Sequence, residues 1–187
     1  MITRSLERFF RTHRIPPGAS VLVGYSGGPD STCLLAAILE IRGRFRFRTA
    51  AAYLDHGLRP RAEREAELLH VKETAARLGV ELFVSAIPEH DLEREARRLK
   101  QGLEAAARRA RQRFFREIGE SHGFTYLLVG HTLDDQIETV LQRLMQGGGS
   151  AGLKGIPIRN GWVLSPLVHI SRDRILDYLK EQKLAYI

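Results

Sequence analysis

Cysteine is almost missing from this chain: Cys33 is the single thiol among 187 residues. One cysteine cannot close an intrachain disulfide, and it cannot build a multi-cysteine metal or iron–sulfur site. The fold must therefore rest on its core, and a reducing, cytoplasmic setting is expected. Long apolar runs are missing as well. No stretch approaches the roughly 20 apolar residues that a membrane-spanning helix needs, so no membrane partner is expected. Internal repeats and low-complexity linkers are absent, and two full domains would be tight in this length. The hydrophobic content of 43% is that of a globular domain. A single domain over residues 1–187 is the reading. Acidic residues are the scarcer charge, 22 against 29 lysines and arginines, and the net charge of +7 favours a polyanionic partner. The arginine-rich first 15 residues carry Glu7 and no cleavage-type tail. They read as an amphipathic helix with Leu6, Phe9 and Phe10 inward, rather than as a transit peptide.

What is present begins with Val21-Leu22-Val23-Gly24-Tyr25-Ser26-Gly27-Gly28-Pro29-Asp30-Ser31-Thr32. A short β-branched apolar run reads as a buried strand. It breaks at two glycines and a proline, then enters Cys33-Leu34-Leu35-Ala36-Ala37-Ile38-Leu39, a helix of good formers ending near residues 41–43. A strand, a glycine turn and a helix N-terminus make an anion site, because unpaired N–H groups and the macrodipole both face the turn. Ser26, Ser31 and Thr32 offer hydroxyl donors, and Asp30 offers a carboxylate to a metal riding on phosphate. The plain alternative is an ordinary turn with Pro29 at the first helical position and Ser31 capping. It leaves the packing of two serines, two glycines and an aspartate unexplained. The lysine of a Walker-type loop is absent.

Strands are expected over 46–54, 80–87 and 124–129, and helices over 61–78, 88–100, 101–121, 132–146 and 171–183. In the helix over 61–78, Leu68, Leu69, Val71 and Ala75 are expected inside. Asn160-Gly161, between 156–158 and 162–164, reads as a type I′ hairpin. Alternating strands and helices imply a Rossmann-like, doubly wound α/β fold: a mostly parallel five-stranded sheet with helices on both faces.

A second constellation, Gly130-His131-Thr132-Leu133-Asp134-Asp135-Gln136-Ile137-Glu138-Thr139, sits at another strand-to-helix junction. His131, Asp134 or Asp135, and Glu138 fall on one helical face. Clustered carboxylates can hold Mg²⁺ against phosphate, hold a cationic substrate, or take a proton from an amine. Capping, with Thr132 as N-cap and Asp135 at N3, is the local alternative and is compatible with all three. Asp55 and His56 form a polar loop at a strand's C-terminal end, where α/β folds place ligands; a merely structural histidine is the competing reading. Arg108, Arg109 and Arg111 lie among alanines on a helix, either as a solvated face or as a cluster reaching phosphate or carboxylate. Gly147, Gly149 and Gly152 match a dinucleotide fingerprint literally but follow a helix, so that reading fails its context.

The run Ser26-Gly27-Gly28-Pro29-Asp30-Ser31 resembles the PP-loop of the ATP pyrophosphatase superfamily. Further strings follow in order: Leu54-Asp55-His56-Gly57-Leu58-Arg59, Leu103-Glu104-Ala105-Ala106-Ala107-Arg108-Arg109-Ala110-Arg111, the Gly130-to-Thr139 run, Arg143-Leu144-Met145-Gln146-Gly147-Gly148-Gly149, Gly152-Leu153-Lys154-Gly155-Ile156, Ser165-Pro166-Leu167 and Ser171-Arg172. Together they resemble the tRNA(Ile)-lysidine synthase family over about residues 20–187. The resemblance implies ATP and Mg²⁺ as cofactors, and free L-lysine and a CAU-anticodon isoleucine tRNA as partners. It implies ATP binding by Ser26, Gly27, Gly28, Pro29, Asp30, Ser31, Asp55 and His56, and metal binding by Asp30 and Asp134. By the same analogy Arg111, Asp135 and Glu138 would engage lysine and, with Asp30, carry the catalysis, while Arg108, Arg109 and His131 would meet RNA. Members of that family continue with C-terminal tRNA-gripping domains, which residues 1–187 are expected to lack. The oligomeric state stays open, a homodimer among the options. The alternatives are a thiolase-like PP-loop enzyme and a non-catalytic, nucleotide-responsive RNA-binding module.

Overall fold

The computed structural model describes residues 1–145 and 155–187. Along the chain run α1 (Ile2–Thr12), β1 (Ser20–Gly24), α2 (Pro29–Phe45), β2 (Arg48–Asp55), α3 (Arg61–Arg77), β3 (Glu81–Ala86), α4 (Asp91–Arg98), α5 (Leu103–His122), β4 (Tyr126–Leu128), α6 (Leu133–Met145), β5 (Arg159–Asn160), β6 (Val163–Leu164) and α7 (Arg172–Glu181). The run 147–149 expected to stop α6, and the fingerprint glycines 147, 149 and 152, lie outside the described residues.

The strands pair in the order β3-β2-β1-β4-β6-β5, all parallel except the β5–β6 edge pair. The class is the one expected, with six strands rather than five because the first arm of the hairpin adds a short antiparallel edge. The strands' period of two assigns their side chains to two cores. Val21 and Val23 of β1, Ala51 and Tyr53 of β2, and Leu128 of β4 face α1, α2, α7 and Val71 of α3. Leu22, Ala50, Ala52 and Leu127 face Phe114 and Phe115 of α5. Each fully buried Leu, Ile or Val contributes roughly 1.5–3 kcal/mol of transfer free energy. A small third cluster, Leu92 and Ala96 against Ala106 and Ala110, fastens α4 to α5.

Three local expectations change. Helix α2 runs through Gly43 to Phe45 and ends on Arg46 in the left-handed region. Phe45 is drawn into an aromatic cluster with Phe10 and Phe47, and that packing outweighs one glycine in the helix. In α3, Leu69 is exposed while Val71 and Ala75 are buried, because Leu69 lies about 100° round the helix from Leu68, off the face that meets the sheet. In the hairpin, Arg159 pairs with Leu164 and Asn160 with Val163, so the two-residue turn is Gly161-Trp162. Positive φ falls at Gly161 (61°) and not at Asn160, the pattern of a II′ rather than a I′ turn. Trp162 fixes this register by packing on Gly119 of α5, where a Cβ would stand 2.7 Å from the indole ring.

Candidate active site

The strand order reverses direction between β1 and β4, and open α/β sheets bind ligands at the C-terminal ends of such a pair. Two sequence constellations are delivered to that crevice: residues 25–31 after β1, and residues 130–138 after β4. They touch. A Cβ on Gly130 would stand 3.2 and 3.3 Å from the carbonyl carbon and oxygen of Asp30, and 3.3 Å from the Ser31 nitrogen.

In the first loop Gly27 adopts φ 79°, Gly28 caps α2 without a side-chain bond, and Pro29 is the first helical residue. The Ser31 hydroxyl donates to the Gly28 carbonyl at 3.0 Å and accepts from the Ser26 backbone N–H at 3.1 Å. The Ser26 hydroxyl lies 3.1 Å from it. This network sets the loop's curvature and leaves Ser26 exposed to a ligand. Thr32 departs from expectation: its hydroxyl is buried and donates to the Gly27 carbonyl at 3.2 Å, so it supports the loop and does not face a phosphate. The loop is also held from behind. The Ile187 N–H donates to the Gly27 carbonyl at 3.0 Å, and its side chain stands 2.8 Å from where a Gly27 Cβ would be. Ile187→Ala is expected to raise the KM for ATP about fivefold, the scale of losing roughly 1 kcal/mol of support, with kcat little changed and Ile187→Val restoring it. Steady-state kinetics in ATP checks this; equal loss in both parameters would refute it.

Asp30 carries the unusual electrostatics. Its Oδ1 is buried without a hydrogen-bond partner among the described residues. Burial raises its pKa above the ordinary carboxylate value, Arg172 opposes that, and the charges of Asp135 and Asp134 add to it. Asp134 and Asp135 are themselves partly engaged. Asp134 accepts the Arg172 N–H at the start of α7, at 2.8 Å. Asp135 accepts the Thr132 N–H at 2.7 Å and its hydroxyl at 3.0 Å, while the Asp135 N–H donates back to that hydroxyl at 3.3 Å. Capping is thus real, and each carboxylate keeps its other oxygen. Among the described residues no group of three or more His, Cys, Asp or Glu could hold a metal unaided. An orphaned carboxylate oxygen facing further acids fits a divalent cation that takes its remaining ligands from phosphate and water, as Mg²⁺ does.

Arg111 of α5 bears on both histidines. It lowers the pKa of His56, after burial and against Asp55, and that of His131, after burial, against Asp135 and alongside Arg108. Both imidazoles are therefore neutral at pH 7. His131 Nδ1 lies 3.2 Å from the buried Ser165 hydroxyl, whereas His56 Nδ1 is buried without a partner among the described residues. Arg111 is exposed as a residue, yet burial of its charged end and then Arg108 depress its own pKa. Arg109 is turned away, 3.5 Å from Glu95 of α4. Asp55 has both oxygens occupied, by the Gly57 N–H and by Arg64, each at 2.8 Å, so it holds the His56 loop. Glu138 is exposed and accepts from Gln142 at 3.0 Å.

Four contributors carried no role in the sequence reading: Arg172, Ser165, Ile187, and Gln136, whose carbonyl accepts the Ile156 N–H at 2.5 Å. Ser165 and Arg172 lie in recognisable strings, but nothing local marks Gln136 or Ile187.

The model of the PP-loop domain family matches residues 1–187. The chain belongs to the PP-loop domain family. ATP use follows from that membership. This PP-loop domain is 37% identical over 185 residues to a tRNA(Ile)-lysidine synthase of Geobacillus kaustophilus, covering 96% of this chain and 39% of that one. It is 39% identical over 170 residues to the synthase named for Solibacter usitatus, covering 90% and 36%. The domain thus spans about two fifths of the length of these curated relatives. Among solved structures, a U34-tRNA thiolase of Methanococcus maripaludis with its [4Fe-4S] cluster superposes with TM-score 0.80 at 18% identity, over 100% of this chain and 64% of that one. At that identity the likeness is one of fold.

Proposed function

We propose that this PP-loop domain performs the ATP-dependent joining of free L-lysine to C2 of the wobble cytidine in a CAU-anticodon isoleucine tRNA, in the cytoplasm. The observation that carries the reading is the orphaned Asp30 carboxylate, whose ionisation the charges of Asp134 and Asp135 oppose, with Arg111 close enough to His56 and His131 to lower their pKa values. The names of the relatives support tRNA(Ile) as the substrate, and free lysine as the second substrate is part of the proposal.

The chemistry has two displacements. The cytidine C2 oxygen attacks the α-phosphorus of ATP, the bond to the β-phosphate oxygen breaks, and pyrophosphate leaves. The lysine Nε then attacks C2, the C2–O bond breaks, AMP departs with that oxygen, and the amine gives up its protons. Residues 26–31 with the N-terminus of α2 receive the charge growing on pyrophosphate. Asp30 and Asp134 would hold Mg²⁺, which when bound neutralises charge on the phosphates. Asp135 and Glu138 attract the ammonium groups of lysine, and one of them accepts its proton. Arg111 pairs with the lysine carboxylate, as arginine does with carboxylates generally. The neutral His131 and the cation Arg108 would meet RNA, whereas Arg109, engaged with Glu95 of α4, does not join them. A sulfur-inserting reading is disfavoured, since Cys33 is buried and alone.

Labelled lysine incorporation into a CAU-anticodon transcript, scored beside pyrophosphate release, tests the proposal. Wild-type protein should do both. Arg111→Ala should keep pyrophosphate release within about threefold and raise the KM for lysine at least about tenfold, the scale of one charge-assisted hydrogen bond. Absence of lysine incorporation by wild type would overturn the reading.

A further inference from the structure

A second concavity lies one strand further out on the same ligand-bearing edge of the sheet. It is a cleft of about 420 Å³, inside the ~300–1,000 Å³ range of small-ligand sites. Its apolar lining is Leu54 at the end of β2, Ile87 and Pro88 after β3, Leu92 of α4 and Phe114 of α5. Three arginines, Arg94, Arg98 and Arg113, line it together with Ser85 and the carboxylates of Asp91, Glu95 and Glu117. It adjoins the active site through the chain itself: Leu54 precedes Asp55 and His56, and Ala110 precedes Arg111.

The residue types favour one occupant. An apolar lining accepts the face of a planar ring, and guanidinium groups can stack on a base or pair with phosphate. Serine and a carboxylate offer a donor and acceptors to a base edge. Arg94 is committed to Asp91, and the other two arginines are left to a ligand. Arg98 has no ion pair among the described residues, and Arg113 reaches only Glu95, at 4.0 Å. Free lysine fits poorly, because it offers no ring to the apolar lining.

We infer that this cleft between α4 and α5 receives a nucleotide of the RNA next to the one being modified, its base on the apolar lining and its phosphate against Arg98 and Arg113. The assignment rests on the reading that RNA is the substrate. It gives α4 a function: fastened to α5 by Leu92 and Ala96, the helix walls a subsite that splays the anticodon loop and so presents the target cytidine to the crevice.

Two substitutions test it by different means. Ala86→Trp plugs the cleft from an exposed position at the end of β3, and Arg98→Glu reverses a charge lining it. Arg97→Glu makes the same charge change on an exposed neighbour that does not line the cleft. Binding of a fluorescent CAU anticodon hairpin is measured by anisotropy, and the KM values for RNA, ATP and lysine by lysine incorporation. Ala86→Trp and Arg98→Glu should each weaken hairpin binding and raise the RNA KM about tenfold, the scale of one lost base-stacking contact. The KM values for ATP and lysine should stay within about twofold, and Arg97→Glu should change RNA binding by less than about threefold. Undiminished hairpin binding by the plugged variant overturns the proposal, as does an equal loss in Arg97→Glu and Arg98→Glu, which would mean diffuse charge. A rise in the lysine KM alone also overturns it. If wild type binds the hairpin, transfers no lysine, and loses binding on plugging, the subsite stands and the lysine reading falls.

Discussion

Asp30→Asn is expected to lower ATP cleavage and lysine transfer by roughly three orders of magnitude, the scale of losing several kcal/mol of charge stabilisation, while making the protein more stable at neutral pH. The two effects share one cause. Burial and the charges of Asp134 and Asp135 raise the Asp30 pKa, with Arg172 opposing. A carboxyl whose folded-state pKa lies above its unfolded value of about 3.9 stabilises the fold only while protonated. That contribution is complete below the unfolded value and is lost as the pH rises through the folded one. At pH 7 the ionised Asp30 therefore costs stability, and asparagine removes the cost with little change of shape. The Tm of the variant should exceed that of wild type at pH 7, with the gap closing toward pH 4. Thermal melts across that range, beside an ATP pyrophosphatase assay, decide the matter. A variant less stable at pH 7, or one that cleaves ATP at the wild-type rate, would sink the account.

Gly130→Ala carries the second large effect, through geometry rather than charge. The added methyl would meet backbone atoms of Asp30 and Ser31 at 3.2–3.3 Å. Those atoms belong to the first turn of α2 and cannot swing aside as a side-chain tip can, so the turn must shift by a few tenths of an ångström. Overpacking of this kind costs roughly 1–3 kcal/mol, and misplacing a reacting group by about 1 Å can cost 10²-fold in rate. We expect kcat to fall 10- to 100-fold, on the order of that estimate, and the Tm to drop by several degrees. Gly43→Ala is the matched control: its Cβ meets nothing within 4 Å, and on helix α2 it should stabilise by about 0.5–1 kcal/mol. Measuring kcat and Tm for both separates the methyl from its location. Similar behaviour in the two variants would refute the close-contact argument.

The relation between chain and site explains which features could be read early. The strand–glycine–helix run at 21–39, the capping box of Thr132 and Asp135, and the burial of Leu6, Phe10, Val71 and Ala75 depend on groups within four residues of one another. Caps, dipoles and periodicity act over that range, so they are written locally. The extension of α2 to Phe45 and the exposure of Leu69 were not legible, because aromatic packing and the angle at which α3 meets the sheet decided them. The shift of the hairpin turn to Gly161-Trp162 belongs with them, since it follows from the contact of Trp162 with Gly119, 43 residues away in number.

Among the candidate residues the same division holds. The sequence alone determined the residue types and their delivery to strand ends: a glycine loop at an anion-binding helix terminus, acids at a second junction, arginines on a long helix, and a single cysteine. Tertiary structure decided which of these act together. The order β3-β2-β1-β4 puts the Asp30 turn against Gly130, brings Asp134 and Asp135 to bear on its ionisation, and brings the charge of Arg111 to bear on both His56 and His131 while Arg109 turns toward Glu95. It also commits the Thr32 hydroxyl to the loop's own carbonyl and both oxygens of Asp55 to holding a turn. The physical reason is range. Propensity and capping are settled by neighbours along the chain, whereas desolvation and Coulomb coupling depend on what the sheet order places within several ångströms, however distant in number.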